Sequence, residues 1–133
     1  YPGVTEVQAG SYATMDAKYR EVGMDFEMAL TVVARVISAN TPGRAVIDAG
    51  YKAFTSELGM PKLIYPHGWR LTRLSEEHGN LECEGGAPLR PGDMVEIAPS
   101  HGCTTINLYD AYHVARDGVV EAVWAISGRG KSR

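Results

Sequence analysis

Apolar side chains alternate with other residues along 28–38, within the longest apolar-rich stretch of the chain, Met28 to Ala39. Every second position from Met28 to Val36 is apolar, and the positions between them include Thr31 and Arg35. A period of two with many β-branched residues predicts a long strand rather than a helix. The turn residues of Asn40-Thr-Pro-Gly43 follow, so we expect the strand to end before them.

The end of the chain predicts a β-hairpin. Two apolar-rich segments, 112–116 and 119–126, flank Asp117-Gly118, a pair that suits the positive φ angles of a two-residue turn. Alternate apolar positions in the second segment define one face, which we expect to face the core: Val120, Ala122, Trp124 and Ile126.

Several short apolar segments, each bounded by glycine or proline on at least one side, predict further strands. Strands are predicted at 69–74, 81–84 and 94–98, whereas only 16–22 and 51–58 have helical character. Closely spaced strands and 15 glycines favour a mainly β fold, a Greek-key-like β-barrel or sandwich with a few short helices.

Composition and charge narrow the functional classes. With 44% hydrophobic residues and no internal repeat or linker, residues 1–133 are predicted to form a single domain. The net charge is −3, so we expect no basic surface for nucleic acid or a membrane. Two cysteines and the lack of a secretory leader pattern predict a soluble, cytoplasmic protein. Because the chain starts with Tyr1 rather than methionine, we expect it to belong to a longer protein.

His101 and Cys103 are the most informative candidates for chemistry. In extended backbone, residues two apart point the same way, so the imidazole and the thiolate can converge on one ion. This geometry requires extended backbone as far as Cys103, which Gly102 makes accessible. Nitrogen with sulfur favours zinc, and two ligands leave positions open for water or substrate. The alternative is a buried free thiol beside a hydrogen-bonded histidine.

Three further features carry weaker signals. His78 is either a ligand or acid–base group, or a loop histidine near solvated glutamates. Lys52 is interpreted as an exposed lysine, because a Schiff-base lysine would require desolvation. The Gly10-Ser11 pair offers backbone amides and a hydroxyl group to a phosphate oxygen.

Six motifs in a fixed order connect these features to one enzyme family. They cover nearly the whole chain and are Thr5-Glu-Val-Gln-Ala-Gly-Ser-Tyr12 with Met15-Asp16, Val46-Ile-Asp-Ala-Gly-Tyr-Lys52, Leu74-Ser-Glu-Glu-His-Gly79, Pro91-Gly92-Asp93, Pro99-Ser-His-Gly-Cys103 and Asn107-Leu-Tyr-Asp110. The chain resembles the C-terminal portion of the D-threonine aldolase and D-serine dehydratase family. These are pyridoxal-phosphate enzymes that share the alanine-racemase fold type.

The resemblance implies a metal site. In the family, the C-terminal β-domain supplies metal ligands from a Pro-x-His-x-Cys or a Pro-x-His-x-Asp motif. Pro99-Ser-His-Gly-Cys103 has the first form, so His101 and Cys103 are the implied ligands. The cysteine form suggests zinc, and manganese or magnesium is the alternative, associated with the aspartate form.

The resemblance also implies cofactor contacts. Gly10 and Ser11 correspond to the family residues that meet the phosphate of pyridoxal phosphate, and Gln8 to a side chain beside the pyridine nitrogen. The lysine that forms the Schiff base belongs to an N-terminal α/β barrel that this chain lacks, so no catalytic residue is assigned here. Asp48 and His78 receive no role.

The implied reaction is that of a lyase acting on a D-β-hydroxy amino acid, with the metal at the substrate's β-hydroxyl group. The cysteine form of the motif makes D-serine dehydratase-like elimination the preferred prediction. The alternatives are D-threonine or β-hydroxyaspartate aldolase activity, and a free-standing zinc-binding module without catalysis. The resemblance further implies an N-terminal barrel partner and a homodimer in the intact enzyme.

Because the Schiff-base lysine is expected outside this chain, we predict that the 133-residue chain alone has no lyase activity. The measurement is product formation from D-serine and D-threonine with pyridoxal phosphate and zinc added. Clean turnover by this chain would contradict the prediction.

Overall fold

The strand predicted from the alternating pattern is the central strand of the fold. The computed structural model describes residues 2–131 and places strand β1 at Val32–Thr41. The strand begins four residues later than predicted and continues through Asn40 and Thr41, so the prediction that it ends before Asn40 is wrong: Thr41 still pairs with Arg44 of the next strand. Ala34 and Val36 are buried whereas Arg35 is exposed, as the alternation requires. The strand begins late because the amides of Ala29 and Leu30 donate to the carbonyl of Thr14, which holds 28–31 against the N-terminal segment.

Six antiparallel strands form one curved sheet in the order β3-β6-β1-β2-β5-β4. The edge strands β3 and β4 contact each other, so the sheet forms a nearly closed barrel. The predicted mainly β fold is confirmed in its barrel form. After β1, the strands are β2 (Arg44–Ile47), β3 (Lys62–Tyr65), β4 (Trp69–Leu74), β5 (Gly79–Cys83) and β6 (Met94–Ala98).

The barrel interior holds the hydrophobic core. Its largest members are Ile47, Trp69, Leu71, Leu74, Leu81 and Ile97, together with Phe54 from the loop after β2, and Val36 and Val95 pack with them. Full burial of a side chain of this size stabilises a fold by about 1.5–3 kcal/mol. Phe54 is fully buried, so the loop that follows β2 is fixed to the core at this residue.

That loop is not helical, and the prediction of helical turns at 51–58 is wrong. Gly50 lies so close to the β4–β5 turn that an added Cβ would be 2.4 Å from the carbonyl oxygen of Ser75. The amides of Tyr51 and Lys52 then donate to the carbonyls of Ser75 and Glu76, at 2.8 and 2.9 Å. These amides are directed to a neighbouring turn, so only a single turn forms before the chain extends.

The short helices lie at the ends of the barrel strands. A 3₁₀ turn spans Ser11–Ala13, helix α1 spans Ala17–Glu21 as predicted, and helix α2 spans Gly102–Ile106. Among residues 2–131, no helix has the length and apolar character needed to cross a bilayer.

The predicted terminal hairpin is confirmed, but its predicted core face is wrong. Strands β7 (Ala111–Arg116) and β8 (Val119–Ala125) pair only with each other, and Asp117 and Gly118 have φ angles of 49° and 77°. Val120 is 55% exposed and Trp124 is 60% exposed. The register shift between Val114 and Ala115 puts Val120 and Trp124 on opposite faces of the hairpin. Because β8 adds no strand to the barrel, both side chains remain exposed within residues 2–131.

Candidate functional site

His101 and Cys103 lie where β6 leaves the barrel and α2 begins. His101 is extended, with φ −136° and ψ 115°, and is the N-cap residue of α2. The helix begins at Gly102, so Cys103 lies in the first helical turn and the prediction of extended backbone as far as Cys103 is wrong. Cys103 is a free, exposed thiol, and this exposure does not fit the alternative of a buried structural cysteine.

A buried carboxylate determines where this helix starts. Asp16 is 2% exposed, and its two oxygens accept from two different backbone amides. Oδ1 accepts from Tyr19 at 2.9 Å, which caps α1, and Oδ2 accepts from Gly102 at 3.0 Å. The amide of Ala17 also donates to the carbonyl of Pro99 at 2.9 Å. Asp16 therefore joins the starts of α1 and α2.

The imidazole of His101 contacts Glu57 across 2.7 Å, between Nδ1 and Oε1. The Glu57 carboxylate, whose pKa is lowered to about 2, is ionised at neutral pH and only accepts hydrogen bonds. Nδ1 therefore carries the proton and donates it. With Nδ1 used in this bond, Nε2 is the ring nitrogen that can offer a lone pair to a metal, and it makes no hydrogen bond within residues 2–131.

Glu57 is itself held by hydroxyl groups. The Thr104 hydroxyl donates to Oε1 of Glu57, and the Oγ1 atoms of Thr104 and Thr55 are 2.5 Å apart. Thr104 has only one hydroxyl proton, so Thr55 must donate in that second contact. The Thr104 hydroxyl is the largest cause that lowers the pKa of Glu57 to about 2, although partial burial opposes it.

The loop that carries Thr55 accepts hydrogen bonds from residues before and after α2. The Ser100 hydroxyl donates to the carbonyl of Thr55 at 3.0 Å, and the Tyr109 hydroxyl donates to the carbonyl of Ala53 at 3.0 Å. Burial raises the pKa of Tyr109. Residues 53–57 and α2 thus form one connected unit in which Glu57 faces His101.

Tyr112, near the start of β7, is a residue to which the sequence analysis assigned no role. Burial raises the pKa of its phenol, and the charge of the Cys103 side chain raises it further.

The predicted cofactor residues lie on the N-terminal segment. Gln8 is exposed, and its amide is 3.4 Å from Oε1 of Glu6. Gly10 precedes the 3₁₀ turn, whose first residue, Ser11, is half-buried. The same segment continues to Thr14, whose hydroxyl oxygen lies 3.7 Å from the position a Cβ would take on Gly102. Their cofactor roles stay predictions.

Two of the remaining candidates, Lys52 and Asp48, have structural partners. The ammonium of Lys52 lies 2.7 Å from Glu77 in an exposed ion pair, and Oδ1 of Asp48 accepts from the amide of Arg35 at 2.7 Å. His78 is exposed in the β4–β5 turn.

The donor chemistry of this region fits a metal, but only in part. Within the part of the chain that the structure describes, no three His, Cys, Asp or Glu side chains are grouped to hold an ion. Nε2 of His101 and the thiol of Cys103 provide one nitrogen and one sulfur donor, a set that suits zinc. A site with two protein ligands leaves the other positions to water, substrate or another part of the protein.

Comparison with known proteins identifies the domain. The family model described as "Putative serine dehydratase domain" matches residues 29–115, more than half of the chain. The chain belongs to this family. A D-threonine aldolase of Arthrobacter sp. is 44% identical over 97% of this chain, and the chain spans 35% of the length of that relative.

Solved members of the family share the fold of this chain. D-threonine aldolase from Filomicrobium marinum superposes with a TM-score of 0.86 at 37% identity, over 92% of this chain and 35% of that chain. D-threo-3-hydroxyaspartate dehydratase from Delftia sp. HT23 superposes with a TM-score of 0.74 at 31% identity, over 93% of this chain and 39% of that chain. The metal-free form of a cysteine-to-alanine variant of D-threo-3-hydroxyaspartate dehydratase gives the same TM-score at 30% identity. A variant of the same enzyme, with a histidine two positions before that cysteine changed to alanine, gives a TM-score of 0.75.

We predict that Asp16→Asn destabilises the domain by about 1–3 kcal/mol, because the amide nitrogen would face a backbone N–H in place of an accepting oxygen. The measurement is the free energy of unfolding in urea. Asp25→Asn, at an exposed position in the same segment, is the matched control and should change it by less than about 0.5 kcal/mol. Equal stability of the two variants would contradict the role assigned to Asp16.

Proposed function

We propose that this chain is the metal-bearing domain of a lyase that acts on D-configured 3-hydroxy amino acids. The observation that carries the proposal is the pair His101 and Cys103 at the start of α2, one with Nε2 available and one with an exposed thiol. Support comes from a D-threo-3-hydroxyaspartate dehydratase, in which a cysteine two positions after a histidine was changed in a metal-free form. Zinc is the metal that this donor pair favours, with manganese or magnesium as the alternative.

In this proposal, the residues of the chain bind the metal ion and orient the substrate relative to it. His101 and Cys103 would hold the ion, and the two-ligand set leaves coordination positions for the substrate's 3-hydroxyl group. When bound, the metal supplies Lewis acidity at that hydroxyl group, and pyridoxal phosphate supplies the electron sink.

Gln8, Gly10 and Ser11 are proposed as the cofactor contacts of this domain. The backbone amides at the start of the 3₁₀ turn and the Ser11 hydroxyl are groups that bind phosphate oxygens. A neutral side chain such as Gln8 can hydrogen-bond to a pyridine nitrogen without requiring that it be protonated. The lysine that binds the cofactor is proposed to lie in a barrel domain outside this chain.

The rest of the intact protein is the proposed partner of the apolar hairpin. The relatives are almost three times as long as the stretch this chain matches, since the chain spans 35% of their length. Val119, Val123 and Trp124 are each at least 60% exposed, so β8 presents apolar side chains on both of its faces, and a neighbouring domain would cover at least one of them. We also propose that the intact enzyme is a homodimer.

Two reactions remain within the proposal, and each is favoured by a different observation. Relatives with 44% and 37% identity are D-threonine aldolases, so retro-aldol cleavage is the first candidate. Cys103 and the Delftia dehydratase favour elimination of water, the reaction preferred from the sequence, as the second candidate. The preference for dehydration is not confirmed by the comparisons.

D-threonine distinguishes the two reactions, because its products differ. Cleavage of the Cα–Cβ bond yields glycine and acetaldehyde, whereas elimination of water yields 2-oxobutanoate and ammonia. We expect glycine and acetaldehyde in equal amounts from the intact enzyme, measured by chromatography of the reaction mixture, with L-threonine as the control. Formation of 2-oxobutanoate would select elimination, and neither pair of products from the loaded enzyme would contradict the proposed substrate class.

We predict that His101→Ala and Cys103→Ala each weaken zinc binding by the intact enzyme more than about 100-fold, since changes of groups behind a ligand already cost 10–100-fold. Cys103→Asp should keep a metal but shift the preference from zinc towards manganese or magnesium, because a carboxylate is a harder ligand. The measurement is metal content after dialysis.

Cys83→Ala is the control for these variants, because Cys83 is a half-buried free cysteine that hydrogen-bonds to the carbonyl of Gly86 in the barrel. Its metal content should equal that of the unchanged enzyme. Full metal content in both His101→Ala and Cys103→Ala would show that the metal role is wrong.

A further inference from the structure

We infer that Glu57 is the positioning residue of the metal site, which binds the Nδ1–H of His101 and thereby directs Nε2 towards the ion. The inference rests on the proposed metal role of His101 and Cys103. It adds a residue that lies 44 positions before His101 and belongs to none of the six sequence motifs.

The first argument is the hydrogen bond itself. The 2.7 Å separation of Oε1 and Nδ1 is typical of a strong bond between a charged acceptor and a ring N–H. A histidine that binds a metal usually donates its other ring nitrogen to a carboxylate or carbonyl, which fixes the tautomer and raises the basicity of the ligating nitrogen. Glu57 provides this partner, and it does so on the side of the ring away from Nε2.

The second argument is that Glu57 is held in place. The hydroxyl of Thr104 donates to the same oxygen that accepts from His101, and Thr55 donates to Thr104 in turn. Phe54 is buried in the barrel core three residues before Glu57. The orientation of His101 is therefore fixed by the barrel as well as by its own short helix. The connection runs from His101 through its hydrogen bond to Glu57 and along the chain to the buried Phe54.

Two other interpretations give different expectations. A surface ion pair with protonated His101 would have both ring nitrogens as donors and would contribute little, because exposed ion pairs are worth at most about 1 kcal/mol. If this interpretation held, removal of Glu57 would leave the metal affinity unchanged. Direct ligation by Glu57 would make one of its carboxylate oxygens a donor to the ion, and loss of Glu57 would then cost as much as loss of His101.

The test measures zinc affinity of the intact enzyme by competition with a chromophoric chelator. For Glu57→Ala we expect an affinity 10- to 100-fold weaker than that of the unchanged enzyme. Glu57→Gln keeps an oxygen that accepts from Nδ1 but loses the charge, so an intermediate affinity is expected. Glu84→Ala is the matched control: Glu84 is an exposed carboxylate, paired with Arg70 rather than with a histidine, and its removal should leave the affinity unchanged.

The absorption spectrum of the Co²⁺-loaded enzyme provides a second measurement that a merely structural role would not change. In Glu57→Ala, the thiolate-to-cobalt band from Cys103 should persist, while the d–d bands should shift because the imidazole is no longer held in one orientation. Glu57→Gln should restore the spectrum in part. Circular dichroism of each variant establishes that the fold is retained.

The outcomes separate this inference from the proposed function. If His101→Ala and Cys103→Ala lose zinc while both Glu57 variants stay within about twofold of the unchanged affinity, the inference is overturned and the proposed function stands. If Glu57→Ala does not fold, Glu57→Gln alone decides in the same way. If His101→Ala and Cys103→Ala keep their zinc, the proposed function fails and the inference fails with it. A loss in Glu57→Ala as large as that in His101→Ala would identify Glu57 as a ligand and overturn its positioning role.

Discussion

The arrangement of the site depends on one buried carboxylate that accepts two backbone hydrogen bonds. Asp16 is inaccessible to solvent, and leaving either amide partner without an acceptor would cost about 1–3 kcal/mol. Its bond to Gly102 begins α2 immediately after His101, and its bond to Tyr19 begins α1. The N-terminal segment and the loop after β6 are 86 residues apart in the chain and are brought together here. The candidate cofactor residues and the candidate metal residues therefore belong to one structural unit.

Much of the barrel could be predicted from local patterns, because strand alternation is a local property. β1 and the Asp117-Gly118 hairpin follow directly from the sequence, and the six ordered motifs indicated the family. The predictions that were wrong depend on contacts between distant residues. The extended backbone predicted through Cys103 is replaced by a helix because Asp16 accepts from Gly102, a contact that no spacing reveals. The hairpin's alternate apolar positions do not share one face, because the register shift between Val114 and Ala115 depends on how the two strands pair.

The sequence predicted the candidate metal-binding side chains of the site, but not the residues that hold them in position. His101 and Cys103 are adjacent to glycine and match a motif, so residue type and spacing identify them. Glu57 and Thr104 become neighbours only because Phe54 fixes the preceding loop in the core. Exposed glutamates are common, and the environment that singles out Glu57 exists only in the folded chain. Residues that orient a metal-binding side chain can therefore be identified only from the folded structure.

The burial of Phe54 has a thermodynamic consequence. The same short loop contributes one side chain to the barrel interior and, three residues later, the carboxylate that contacts His101. An ion bound at His101 would favour the conformation in which this loop is docked, and the docked loop requires an intact interior. Metal occupancy and folding are then linked equilibria, so the ion adds stability that grows with the logarithm of its free concentration above the dissociation constant. Weakening of the barrel far from the ion would in turn appear as reduced metal retention.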